Sequence, residues 1–336
     1  RCGVNWTFAP MLDVGRDPRW GRVAETLGED PHLTGVLGAA MVRGFQGSDL
    51  RTPGSIAACA KHFAGYGASE SGKDYNTTNL PENELRNVHL RPFYDAFEAG
   101  AASVMTSFSD IDGVPASANE FLLDQVLRKE WRFDGLVVSD WDSISQLAVH
   151  GLTENDRESA FQAASAGLDM EMASTTYAHH LPGLVAEGRI SERQVSRMAA
   201  NVLRIKLRLG LFDRPYVDPE IFPGFGNADN LAQAREAARQ SIVMLQNRDH
   251  VLPLDPEQMD SLAVIGPMAN EPYEQLGTWI FDGDPSLSQT PVQALREALR
   301  GKVDVRHARG LATTRSQDHE GFAEALHLAH ASDAVV

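Results

Sequence analysis

Short apolar runs rich in β-branched residues alternate with helically spaced stretches along the first 172 residues, and that alternation restricts the chain to a few architectures. Strand-like runs fall at 4–10, 56–62, 103–108, 135–140 and 168–172, separated by helical patterns over 31–44, 81–99, 118–130 and 156–166. Strands divided by helices pair in parallel through right-handed crossovers, with helices covering the sheet. The run Gly135-Leu136-Val137-Val138 is the clearest: wholly apolar, as buried parallel strands are, and ended abruptly by Ser139-Asp140. A carboxylate there is costly to desolvate unless something uses its charge. Helix, turn, strand and Asp in that order suit a β/α barrel, whose reactive groups sit at the C-terminal strand ends. Taken alone, Ser139-Asp140 also describes an N-cap to a helix beginning at Trp141.

At 336 residues the chain is long for one domain. Ser191 and Gln194 mark a capping box for a helix whose apolar face (Val195, Met198, Val202, Leu203, Leu209) ends at Gly210. Periodicity then vanishes over 212–230, a stretch punctuated by prolines and aromatics that reads as a linker. A further α/β pattern begins with a helix over 231–247, with Ala234, Ala237, Ala238, Ile242 and Leu245 on one face, and proceeds through strands and helices to Asp333-Ala334-Val335-Val336. Expected domains are therefore 1–211, a linker over 212–230, and 231–336. Arg1 leads directly into an apparent strand and the last residues open another, so an internal piece of a larger protein is expected. On that view N-terminal barrel strands and the end of the second domain are missing.

A net charge of −16 argues against nucleic-acid binding, which needs a basic face. No apolar stretch is long enough to span a bilayer. Cys2 and Cys59 have no zinc-type spacing and are silent on redox compartment.

Residues 126–143 resemble the active-site signature of glycoside hydrolase family 3: Val126, Leu127, Arg128, Glu130, Gly135, Ser139, Asp140 and Ser143 fill its positions. The resemblance implies a (β/α)8 TIM-type barrel followed by an α/β sandwich domain, and hydrolysis of terminal β-D-glucosyl residues with retained configuration. Asp140 would be the nucleophile of such a double displacement, in which a second carboxyl group about 5–5.5 Å away protonates the leaving oxygen. The family's general acid is a Glu in the second domain, on a loop following a strand like Ala334-Val335-Val336, and is expected beyond the chain end. An upstream sugar-gripping Asp is expected before Arg1.

Further positions carry over by resemblance. Lys61-His62-Phe63 with its Gly-rich loop matches the family's sugar-binding pair, and Arg22 of Arg19-Trp20-Gly21-Arg22 matches its sugar-contacting arginine. Arg22 is also placed to pair with Glu25 or Glu29. Trp141 would offer a flat face to the sugar, or serve the core. Phe108 stands where some relatives have Tyr, which removes a hydroxyl contact. Asp169 and Glu171 are rim carboxylates with catalytic and structural roles equally open, and 72–76 resembles a rim loop.

Ala64 and Tyr66 replace the Pro and His of the N-acetylglucosamine-cleaving branch, which favours a glucosidase or xylosidase. No metal or organic cofactor is implied. A β-xylosidase is the nearest alternative. Schiff-base chemistry at Lys61, which would need a desolvated lysine, and a catalytically incomplete carbohydrate-binding remnant are the others. Similar bacterial enzymes suggest a periplasmic or secreted location.

Overall fold

The computed structural model describes residues 2–277 and 279–336. Its first unit, ending at Pro223, contains β1 (Cys59–Phe63), β2 (Ser103–Thr106), a short antiparallel hairpin of β3 (Asp110–Ile111) and β4 (Val114–Pro115), β5 (Leu136–Trp141) and β6 (Met170–Met172). Strands β1, β2, β5 and β6 form one parallel sheet in chain order. Cys59 lies against Ser103, and Ser103 against Leu136. Each strand is thus laid beside its predecessor by a helical crossover, as in an arc of a TIM-type barrel. Over the described residues the arc is open.

The segment expected as the first strand joins β1 irregularly. Thr7 N donates to Ala57 O (3.0 Å), Cys59 N to Ala9 O (2.9 Å) and Lys61 N to Pro10 O (3.0 Å). Pro10 accepts but has no N–H to donate, so the ladder is broken there.

The helices form where capping residues and apolar faces coincide. Asp30 accepts from Leu33 N at the start of Pro31–Gln46, with Pro31 in the first turn, where its missing N–H costs nothing. Asn155 caps Asp156–Ala166, which ends on Gly167 at φ 104°. Ser191 accepts from Gln194 N to begin Glu192–Arg208. Two elements escaped the sequence reading: the β3–β4 hairpin, too short for periodicity, and the helix Thr176–Ala186, which contains Pro182. Phe121–Glu130 forms where a helix was expected, but with the wide π-type turn.

The core lies between sheet and helices, where Phe63, Phe93, Leu122, Leu127 and Val137 are fully buried. Burying each such side chain contributes roughly 1.5–3 kcal/mol. On the opposite sheet face Cys59, Met105 and Val138 form a smaller cluster.

The second unit, Gly224–Val336, has β7 (Ser261–Ile265) between β8 (Asp304–Ala308) and β9 (Ala334–Val335), all parallel. Its core gathers Leu262, Val264, Val292, Val303 and Val305. Its first helix departs from expectation: it runs Ala228–Ser241, and Ile242 onward is extended and exposed. β-Branched Ile242 and Val243 are poor at prolonging a helix whose residues are all exposed, because no packing opposes their preference. The boundary between the two units falls within 212–230.

Two predictions follow from this packing. A Cβ on Gly135 would run into Ala102 O and the Phe133 ring. Gly135→Ala should therefore destabilise the protein by about 1–3 kcal/mol, and an unchanged melting temperature would sink that account. His89 is buried, and burial pulls its pKa down to about 4 from 6.5. The unfolded chain takes up this proton first as pH falls, so stability should drop between pH 6.5 and about 4, by up to about 3 kcal/mol. Denaturant unfolding across that window should show a shallower loss in His89→Gln than in the unmodified protein.

Candidate active site

The C-terminal ends of β1 and β5 bring a carboxylate and a cationic group together. Along β5, side chains alternate, so Val138 and Asp140 point to the face away from the helices. The strand end is locked by Ser139, whose Oγ donates to Asp140 O (2.8 Å) and accepts from Met172 N on β6 (2.9 Å). Below the following turn, Ser117 Oγ lies 2.8 Å from both Thr106 Oγ1 and Ser143 Oγ, and Ser143 N donates to Asp140 O (3.2 Å). Asp140 is not a helix cap, since Trp141 is still strand and Asp142 turns at φ 58°.

Asp140 is only 7% exposed. Its Oδ1 accepts from Trp141 N (2.7 Å), which fixes the carboxylate plane. Its Oδ2 lies 3.3 Å from His62 Nε2 and makes no hydrogen bond within the described residues. Burial pushes the Asp140 pKa up, and the His62, Trp141 N–H, Arg22 and Lys61 charges and dipoles oppose the rise only in part.

His62 is held from behind. Asp13 Oδ2 accepts from its backbone N (3.0 Å) and lies 2.7 Å from its Nδ1. Arg22 approaches from the loop after the first segment, with Nη2 3.3 Å from His62 Nε2. It also forks onto Glu25 at 2.8 and 2.9 Å, the pairing weighed for it from the sequence. Burial works to lower the Arg22 pKa, but the Glu25 hydrogen bonds and charge outweigh it and the net shift is upward. Lys61 is half-buried; burial, then Arg22, lower its pKa against the pull of Asp140 and Glu25. Three cationic or potentially cationic side chains thus converge on one carboxylate.

Aromatic rings form the wall. Trp141 is 65% exposed beside Asp140, whereas Phe108 is buried, its ring 4.5 Å from Tyr75 and 5.9 Å from Tyr66. Trp20 is core, and its Nε1 donates to Asp74 (2.9 Å), tying the 72–76 loop to the Arg22 loop.

Asp169 and Glu171 each accept hydrogen bonds from the backbone. Asp169 Oδ2 accepts from Arg128 (2.7 Å) and Val137 N (2.9 Å), and its Oδ1 accepts from Asn201 (2.8 Å). Glu171 accepts from Tyr177 N at 3.1 and 3.0 Å, serving as the N-terminal cap that Thr175 does not provide for Thr176–Ala186. Asp13 was overlooked as a member of the cluster, whereas Glu25 was weighed only as a partner of Arg22 and Tyr75 only as part of the 72–76 loop. Asp13 did carry a signal: like Asp140, it ends an apolar run, Met11-Leu12.

Removing one partner of a buried ion pair strands the other, so Asp169→Ala should cost about 3–5 kcal/mol. Glu171→Ala should cost about 1 kcal/mol, the usual value of a lost cap. Denaturant unfolding of both variants checks this, and equal costs would contradict it.

Against known proteins, residues 1–205 match the model of the glycosyl hydrolase family 3 N-terminal domain, and residues 242–336 that of its C-terminal domain. The chain is 37% identical to the periplasmic beta-glucosidase of Salmonella typhimurium over 94% of its own length and 42% of that protein. It is 35% identical to a beta-xylosidase of Formosa agariphila, over 99% of the chain and 48% of the relative. It superposes on the crystal structure of a beta-glucosidase from Listeria innocua in complex with glucose with a TM-score of 0.91 at 38% identity, covering 99% of this chain and 46% of that one. The chain thus spans less than half the length of these relatives, and with both domain models matched, it belongs to glycoside hydrolase family 3.

Proposed function

We propose that the protein hydrolyses terminal non-reducing β-D-glucosyl residues with retention of configuration, with Asp140 as the nucleophile. One observation carries this reading: a buried carboxylate at the end of β5, one oxygen pinned by Trp141 N and the other without a protein hydrogen bond beside His62. Attack of Oδ2 on the anomeric carbon would form the glycosyl-enzyme ester. A second carboxyl group, for which we assign no residue of this chain, would protonate the departing oxygen and then activate water.

Lys61, His62 and Arg22 grip the sugar hydroxyls, as charged donors do strongly in a site sheltered from water. Trp141 provides an exposed apolar face for a sugar ring, and Phe108 backs the wall through Tyr75. A β-xylosidase is the second reading, supported by the similarity to a beta-xylosidase. The two differ in whether the pocket wall admits a hydroxymethyl group. The similarity to a periplasmic relative supports a periplasmic location. We further propose that 1–211 is the catalytic barrel portion, 212–230 the linker and 231–336 part of the sandwich domain.

The test is covalent trapping with a dinitrophenyl 2-deoxy-2-fluoro-β-glucoside, whose leaving group hardly needs an acid, followed by peptide mass spectrometry. We expect a hexose adduct on the peptide containing Asp140, and none in Asp140→Ala, which should also lose turnover by several orders of magnitude. An adduct elsewhere would overturn the assignment. Labelling by the xyloside alone would select the second reading, and labelling by neither would favour a carbohydrate-binding remnant.

A further inference from the structure

We propose that Asp13 is a positioning residue for the nucleophile: it holds His62 with an Nε2–H facing Asp140, so that the Asp140 carboxyl stays ionised. This rests on the glycosidase reading above.

The geometry begins with the double grip of Asp13 on one residue. Its Oδ2 accepts from the His62 backbone N at 3.0 Å and lies 2.7 Å from Nδ1. An ionised carboxylate is only an acceptor, so Nδ1 carries a proton. Both side chains are almost wholly shielded from solvent, His62 at 1% and Asp13 at 0%. The ring is therefore fixed in orientation, and its chemistry is left to Nε2.

Two groups face Nε2, Arg22 Nη2 and Asp140 Oδ2, each 3.3 Å away. A proton placed between Nε2 and Oδ2 has two atoms to sit on. On the oxygen it makes Asp140 a neutral acid, which is a poor nucleophile. On the nitrogen it leaves an Asp140 carboxylate beside an imidazolium, and the Asp13 charge across the ring stabilises that arrangement. A buried Asp orients and steadies an imidazolium in the same way in hydrolytic triads. Arg22 can only donate, so it competes for the Nε2 lone pair, and its 3.3 Å approach is unfavourable once Nε2 is protonated. Its fork onto Glu25 offsets that charge in part, and the Nε2 proton is what the histidine spectra decide.

The remaining titratable neighbours are compatible. Lys61 and Arg22 favour the Asp140 carboxylate, while burial opposes it. Cys59 and Tyr75 also feel Asp140, and burial raises the pKa of both, to about 12 for Cys59, so both stay neutral. On the other side, His89 lies within range of Asp13, and burial keeps His89 neutral near pH 7.

The experiment uses Asp13→Asn, which keeps an acceptor for Nδ1–H and removes the charge. Two readouts are taken on the intact protein: the pH dependence of Asp140 labelling by the 2-fluoro-glucoside, and ¹⁵N-histidine spectra, with His62 identified by its loss in His62→Gln. We expect His62 in the unmodified protein to be protonated at both nitrogens where labelling is fast. In Asp13→Asn the acid limb of labelling should move up by about one pH unit, with the rate above the limb within a few-fold, and Nε2 should lose its proton. A purely structural role would lower the rate equally at every pH and leave the limb in place, which overturns the proposal. So does an unmodified His62 with bare Nδ1, a result that needs no variant to fold. Absence of labelling in the unmodified protein counts against the glycosidase reading, and the His62 spectrum still decides the proton arrangement.

Discussion

Keeping a carboxylate charged inside a protein is the demand around which the rest of this site is arranged. Asp140 sits where burial favours its neutral form, and the proposed reaction requires the charged one. Nearby positive charge meets that demand, yet Arg22, Lys61 and His62 are themselves costly to bury. Glu25 pairs with Arg22 and Asp13 holds His62, while Lys61 is half-buried and feels the charges of Asp140 and Glu25. The site is a chain of compensated charges.

The scaffold makes that arrangement possible because parallel strands put their C-terminal ends at one rim. β1 delivers Lys61 and His62, β5 delivers Asp140, and the loop after the first segment delivers Asp13 and Arg22. Buried hydroxyls fasten the rim: Ser139 bridges β5 to β6, and Thr106, Ser117 and Ser143 hold the turn below Asp140. Asp169 performs a similar service lower in the sheet, joining Arg128 of the signature to the start of β5. Several polar positions of the 126–143 signature are thus accounted for by backbone support rather than by ligand contact.

The strands of the sheet were legible because wholly apolar runs such as Leu136–Val138 have few other places to go. The helix over 156–166 was legible because Asn155 and Gly167 mark its ends. Pattern misled where only tertiary packing or its absence decides. Ile242 and Leu245 fit a helical face on paper, but that helix has no buried side, and the chain turns extended at Ile242. Thr176–Ala186 was missed because its cap comes from Glu171, a side chain outside the helix and the preceding residue.

Local order in the sequence determined the α/β class and the strand that ends in Asp140, because periodicity and strand ends are properties of neighbouring residues; Lys61, His62 and Arg22 were singled out by the family resemblance instead. Only the tertiary structure decided that Asp13, 49 residues before His62, holds that ring against Asp140, and that Asp169 and Glu171 support backbone instead. Hydrogen-bond partners are chosen by distances of about 3 Å in space, and separation along the chain carries almost no information about them.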